Sequence, residues 1–243
     1  MRHLIACASL LACLPLAAAE QTLLLRQPAL SAEHLAFVYA GDLWIARRDG
    51  SDPRRLTSHP AEEQRPVFSP DGSEIAFAAD YEGQLDVHVI AVDGGQPRRL
   101  TWHPDGDWPT GWNADGSQVT FVSDRETDHG RSGQLYSVAT GGGLPTRLME
   151  ARVFRGSFDA AGRRLAYIPY GSGYSGLFGG AAGWKGYRGG VTPAIHVLDF
   201  ADDTLQVIPG AGATNFNPLW LGDALYVIAD RDGVVIIPQA IAA

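Results

Sequence analysis

Phe68-Ser69-Pro70-Asp71-Gly72-Ser73-Glu74-Ile75-Ala76-Phe77 is the stretch that decides how this chain folds. Pro70 presets φ for a turn, the Asp71 side chain can bond the backbone two residues on, and Gly72 accepts the positive φ that other residues avoid. The apolar runs on either side must therefore double back as a β-hairpin. The same hairpin recurs as Trp112-Asn113-Ala114-Asp115-Gly116 before Val119-Thr120-Phe121, and as Phe158-Asp159-Ala160-Ala161-Gly162 before Leu165-Ala166-Tyr167. A recurring hairpin is the mark of a repeat architecture.

The pieces around each hairpin also keep their order. Ile75-Ala76-Phe77 is followed by Asp86-Val87-His88-Val89-Ile90, by the turn Asp93-Gly94-Gly95, and by Arg98-Arg99-Leu100-Thr101. Leu35-Ala36-Phe37 is followed by Asp42-Leu43-Trp44-Ile45, Asp49-Gly50 and Arg54-Arg55-Leu56-Thr57; Val119-Thr120-Phe121 leads through Gln134 to Val138 and Gly141-Gly142-Gly143 to Thr146-Arg147-Leu148-Met149. The period is roughly 40 to 46 residues, with four short strands per unit, which is the pattern of a β-propeller blade. The expected fold is all-β, a β-propeller of four-stranded blades with about four blades and a partial fifth present.

Composition agrees. The chain has 243 residues with 29 Gly and 15 Pro, as a turn-dense β protein requires, and no sustained helical period follows the extreme N-terminus. A formal charge of −8 argues against nucleic acid as partner, since phosphate binding needs a basic surface. The repeated arginine pairs are read as solvated ends of outer strands that discourage edge pairing.

In chain order, residues 1–19 read as a signal peptide. Arg2 is the n-region, Leu4 to Leu16 the apolar h-region and Ala17-Ala18-Ala19 the small-residue cleavage site. The apolar run is too short for a membrane span, so a periplasmic or secreted location is expected. Cleavage before Cys13 would make a lipoprotein instead, and an unused segment would leave the chain in the cytoplasm. Both cysteines, Cys7 and Cys13, fall inside this segment, so no disulfide or thiol chemistry is expected of the mature protein.

Residues 20–233 read as the propeller. Thr22 to Arg26 is an extra strand expected to complete the last sheet of the ring. Blades follow at about 29–66, 67–109, 110–154 and 155–216, with a partial one at 217–233. Residues 234–243 are an atypical apolar tail, expected to mark a truncation or frame artefact of a longer protein. The fourth blade is interrupted by a glycine-rich insertion carrying Trp184, Tyr187 and Arg188, a combination suited either to closing over a peptide or carboxylate or to covering a blade face.

The search for chemistry is lean. Gly173-Tyr174-Ser175-Gly176-Leu177 lacks the final glycine of a nucleophile elbow, and no histidine pair stands at metal-ligand spacing. No catalytic residue, metal or cofactor is expected. His59 and His103 hold equivalent places in successive blades, which points to capping of the inter-blade loop, with ligand binding as the alternative. Arg65 and Arg155 stand just before innermost strands, there to present charge to the channel or to bond loop carbonyls. The acids Glu62, Glu63 and Asp107, with Asn215, lie near the starts of inner strands but do not repeat in register, which weighs against a metal-dependent propeller hydrolase.

The hairpin Ser69-Pro70-Asp71-Gly72, the Arg-Arg-Leu-Thr phrases followed by Ser58-His59-Pro60 and Trp102-His103-Pro104, the phrase Gly133-Gln134-Leu135-Tyr136, and Trp184-Lys185-Gly186-Tyr187-Arg188-Gly189-Gly190 together resemble the N-terminal propeller of tricorn-type serine peptidases. The hairpin alone is shared with TolB-like propellers and prolyl oligopeptidase relatives; the order of all four phrases is more specific. The resemblance implies a six-bladed ring, relative to which this chain is incomplete. It further implies a C-terminal propeller, PDZ-like module and catalytic domains elsewhere, and a non-catalytic role in channelling peptides or unfolded polypeptide. Strands beginning near Pro66, Gly111, Gly156 and Pro218 would line that channel. An incomplete ring also implies self-association through unpaired blade faces. A TolB-like periplasmic interaction module is the alternative.

Overall fold

The Asp71 turn forms as its sequence requires. In the computed structural model, which describes residues 24–126, 132–159, 161–170, 193–208, 215–229 and 236–241, Ser69 Oγ donates to Asp71 Oδ1 at 2.6 Å, and the amides of Ser73 and Glu74 bond Asp71 Oδ1 and Ser69 Oγ. Gly72 takes φ 73°, Gly116 φ 72° and Gly162 φ 64° at the equivalent points of the three hairpins. Each of these glycines also sits against the preceding blade's turn. A Cβ on Gly72 would meet Ser31 at 3.4 Å, one on Gly116 would meet Pro70 at 3.6 Å, and one on Gly162 would meet the backbone nitrogen of Ala114 at 2.7 Å.

Among the described residues every regular element is a strand. The first blade comprises β1 (Arg26–Leu30), β2 (His34–Tyr39), β3 (Asp42–Arg47) and β4 (Arg54–Arg55). The second has β5 (Glu63–Phe68), β6 (Glu74–Ala79), β7 (Asp86–Ala91) and β8 (Arg98–Arg99); the third has β9 (Asp107–Trp112), β10 (Gln118–Ser123), β11 (Gly133–Ala139) and β12 (Thr146–Val153). The fourth is β13 (Arg155–Phe158), β14 (Arg164–Ile168), β15 (Ile195–Asp199) and β16 (Thr204–Ile208), and a three-stranded sheet follows as β17 (Asn215–Leu221), β18 (Ala224–Ala229) and β19 (Ile236–Ile241). Each sheet is an antiparallel meander in chain order, and the first strands stand side by side, β1 on β5, β5 on β9, β9 on β13 and β13 on β17. That adjacency makes them the innermost strands of a β-propeller.

The blades share one internal register. Phe37 pairs with Trp44, Phe77 with His88, Phe121 with Tyr136 and Tyr167 with His196, so an aromatic pair sits at the same rung of four blades. The apolar core lies between blades rather than within them. Leu43 and Ile45 of the first blade pack with Ile75, Phe77 and Ile90 of the second, and Val87, Val89 and Leu100 pack with Val119, Phe121 and Tyr136 of the third. Val122 and Leu135 meet Leu165 and Tyr167 in the same way, and Ile195 and Val197 meet Trp220, Leu225 and Val227.

Three sequence expectations change. Arg26, the last residue of the stretch expected to complete the last blade, instead opens β1 and pairs with Val38 of its own blade, while Thr22 and Leu23 lie outside the described residues; the missing Pro-Asp-Gly turn had disguised an ordinary hairpin through Ser31. Inner strands begin earlier than the turn phrases suggested, at Glu63 and Asp107. The apolar tail pairs along β18, with Tyr226 opposite Ala240 and Ala229 opposite Ile236.

The arginine pairs are not loosely solvated edge charges. Arg55 donates to Asp42 Oδ1 at 2.8 Å and to the Thr57 carbonyl at 2.7 Å; Arg99 does the same with Asp86 Oδ2 at 2.6 Å and the Thr101 carbonyl at 2.8 Å. The other arginine of each pair reaches the next blade, Arg54 to the carbonyl of Val92 and Arg98 to that of Thr140. One arginine fastens a strand within its blade and its neighbour fastens the blade to the next.

Candidate functional site

In an up-and-down blade the start of the first strand, the end of the second, the start of the third and the end of the fourth share one end. The connectors carrying His59 and His103, the starts of β5, β9 and β13, the end of β14 and the start of β15 are therefore at the end opposite the Pro-Asp-Gly turns. Topology thus brings His59, Arg65, His103 and Arg155 to one end of the blades. Trp184, Tyr187 and Arg188 lie outside the described residues.

The histidines cap. His59 Nδ1 accepts the Ala61 amide at 3.0 Å and His103 Nδ1 accepts the Asp105 amide at 3.2 Å, each closing its own loop two residues on. The His59 ring also packs on Tyr81, with centroids 4.3 Å apart.

Arg65 owes its placement to a β-bulge. Val67 faces Ala76 and Gln64 faces Ala78, so β5 spends one more residue than β6 across this rung. Arg65 has φ 51° and is followed by Pro66. The same bulge recurs at Gln27-Pro28 (φ 52°) and Asn217-Pro218 (φ 40°). A left-handed residue before proline is disfavoured twice over, so its repetition marks a position held by the surrounding fold. Each bulge of the first two blades serves its neighbour: Gln27 Oε1 accepts the Arg65 amide at 2.5 Å, and the Arg65 guanidinium lies 5.1 Å from the Trp108 ring centroid. Arg155 pairs with Ile168 and is thus equivalent to Gln64 rather than to Arg65, but it lies near enough to affect Arg65. Burial, and secondarily Arg155, push the Arg65 guanidinium's pKa well down, while Asp124 pulls it up; burial lowers Arg155 too.

Three of the polar residues that did not repeat by counting do repeat by pairing. Glu63 faces Ala79, Asp107 faces Ser123 and Asn215 faces Ala229, each the first residue of an inner strand opposite the last of its partner. All three are buried at the junction with the preceding blade. The Glu63 amide bonds the Gly41 carbonyl and the Asp107 amide that of Leu85, both at 2.8 Å. Glu63 Oε2 accepts Thr57 Oγ1 at 2.8 Å and the Leu43 amide at 3.1 Å, and Oε1 accepts the Tyr81 hydroxyl at 2.7 Å. Asp107 receives Arg125 at 2.9 Å. The Asn215 Oδ1 has no hydrogen-bond partner among the described residues. This ring of junction seals was missed because the bulges break residue counting. Among the described residues no group of three or more His, Cys, Asp or Glu could hold a metal ion.

Burial raises the Glu63 carboxyl's pKa more than Tyr81 and Thr57 lower it. The native state therefore binds this proton more tightly than the unfolded chain, and stability declines as pH rises from the ordinary carboxyl range through the raised native value. Glutamine can keep the same partners, with its oxygen toward Thr57 and Leu43 and its amide toward Tyr81. Relative to the parent, Glu63→Gln is expected to gain stability between about pH 4 and about pH 7, read by denaturant melts at both. A difference independent of pH would refute a raised carboxyl.

Residues 22–238 match the family described as the tricorn protease N-terminal beta propeller domain. The chain is 29% identical over 229 residues to tricorn protease homolog 1 of Streptomyces coelicolor, covering 90% of this chain and 20% of that protein. It thus spans about a fifth of the relative's length. The crystal structure of the tricorn protease superposes with a TM-score of 0.72 at 22% identity, over 90% of this chain and 21% of that one. The putative TolB from Agrobacterium tumefaciens superposes with a TM-score of 0.66 at 20% identity, over 86% and 71%. At these identities the two structural likenesses are of fold alone.

Proposed function

The chain belongs to the tricorn protease N-terminal β-propeller family, and on that premise we propose that it serves an exported tricorn-like serine protease as a non-catalytic propeller, admitting and passing peptides along its axis. The observation that carries the reading is the family match over residues 22–238, taken with first strands that stand side by side around that axis. The end where those strands begin offers a guanidinium stacked on an indole and a second arginine, which suits peptide carboxylates and carbonyls better than phosphate polymers. The catalytic work belongs to domains of a longer protein in this reading. Export is part of the same proposal: the mature protein's first residue is expected at Glu20 by mass spectrometry, a lipidated Cys13 making it a lipoprotein and an intact Met1 opposing export.

The test is saturable binding of labelled, unstructured peptides to the chain, read by fluorescence anisotropy. Saturation with peptides, but not with folded proteins, is the expected result; absence of saturable peptide binding would overturn the proposal. The fold match to TolB, of which the chain covers 71%, favours a second reading as a protein-interaction propeller. That reading predicts the reverse preference.

A further inference from the structure

The outermost strand of a blade exposes a row of backbone N–H and C=O groups that another strand can join, and three of the four-stranded blades guard that edge. β4 and β8 are two residues each, and Arg54 and Arg98 arch from them to carbonyls of the next blade. β12 is longer, but its pairing slips between Gln134 and Tyr136 of β11, and it carries Arg147, Glu150 and Arg152. β16 has none of these devices. Its five residues, Thr204-Leu205-Gln206-Val207-Ile208, pair with β15 without a bulge and hold no charge. Among the described residues no strand pairs with its outer side. Leu205 is 52% and Val207 48% exposed, on the face they share with Leu198 and His196 opposite them. The acids stand at one end only. Asp202 Oδ1 accepts the Thr204 amide at 3.1 Å and the Thr204 hydroxyl at 2.7 Å, Asp203 lies between them, and Pro209 follows the other end.

We propose that β16 is a dimerisation edge, joined by β16 of a second copy of this chain in antiparallel register about a two-fold axis through Gln206. Centring there sets Leu205 against the partner's Val207, and Val207 against the partner's Leu205, on one face. On the other face Thr204 meets the partner's Ile208, and Gln206 meets its own counterpart. Each aliphatic pair thus forms twice. Charge selects the direction. Antiparallel pairing carries Asp202 and Asp203 of each copy past the end of the partner's strand, whereas parallel pairing in register sets the two acidic pairs together. Order selects the occupant: β15 already holds β16 extended, so a second copy arrives preorganised and matched by symmetry, while a loose peptide must lose its chain freedom and match the register by chance. Pairing over five residues buries less than the roughly 1,200 Å² of a stable interface, so the dimer is weak and depends on concentration.

Sedimentation velocity of the whole chain between about 1 and about 200 µM should show a reversible monomer–dimer step with a dissociation constant above about 1 µM. Leu205→Lys and Val207→Lys should each weaken it at least about tenfold, since one substitution spoils two symmetry-related contacts and places on β16 the charge that guarded edges carry. Leu144→Lys, which removes an exposed leucine at the outer turn of another blade, should leave it unchanged. The register is read separately, without a charge on the edge. Gln206→Cys should form an interchain disulfide, found after proteolysis as two copies of the 204–208 segment joined at position 206, and Thr204→Cys should not, because only directly opposite residues come within disulfide reach. A parent that stays monomeric over the whole range overturns the proposal. So does association that survives both lysine variants, which would place self-association on the blade faces instead. A monomeric parent whose residues 204–208 gain hydrogen-exchange protection when an unstructured peptide is added would make this edge a peptide site and overturn the second copy.

Discussion

Replacing Arg125 by alanine is expected to cost about 3–5 kcal/mol, because it leaves the fully buried Asp107 carboxylate without its cation. The Arg125 guanidinium bonds both Asp107 oxygens, at 3.2 and 2.9 Å, donates to Ser123 Oγ at 2.7 Å, and lies 4.6 Å from the Tyr136 ring centroid. Burial already raises the Asp107 pKa, while Ser123 and Arg125 hold it down. Without Arg125 it must rise further. An acid with a raised native pKa loses stability as pH climbs through that value, so the variant's deficit should be larger near pH 8 than near about pH 5. Denaturant melts at the two pH values test both claims. The double variant Arg125→Ala/Asp107→Asn should recover part of the loss, since the uncompensated charge goes with it. A single-variant loss below about 1 kcal/mol, typical of an exposed pair, would show that water reaches the site.

Phe77→Ala is expected to cost about 3–5 kcal/mol for a different reason, a void in close-packed apolar surroundings. Phe77 is wholly buried between the first and second blades, packing with Leu43, Ile45 and Ile90, and its ring stacks on His88 with centroids 5.7 Å apart. Because the core of this protein lies between blades, the loss weakens blade-to-blade docking rather than the hairpin itself. Leu144→Ala, at 94% exposure, is the control and should change stability by less than about 0.5 kcal/mol. Equal effects from the two would mean that Phe77 is not part of a docking surface.

The blades were legible in the sequence because their signals are local. Turn chemistry at Asp71-Gly72 and Asp115-Gly116 and the continuous apolar run of Ile75 to Ala79 act within a few residues of one another. The pairing around β5, β9 and β17 was not legible. One extra residue at each bulge shifts the count, so Glu63, Asp107 and Asn215 look scattered until paired opposite Ala79, Ser123 and Ala229. The arginine pairs were misread for a related reason: Arg54 bonds Val92 and Arg98 bonds Thr140, partners 38 and 42 residues away. His59 and His103 each close their loop on an amide only two residues on, a contact local enough for sequence to suggest it. The candidate site was legible as a list of residues but not as an arrangement, since Arg65 and Trp108, 43 residues apart, meet only through the order of the inner strands.

The hairpin tips that lean on one another have a bearing on how such a chain can grow. A side chain added at Gly162 would collide with the Ala114 backbone at 2.7 Å, whereas Gly50 and Gly94, at the outer turns, have nothing within 4 Å of an added Cβ. Lengthening, epitope tags and grafted peptides should therefore be tolerated at the outer corners and rejected at the inner ones.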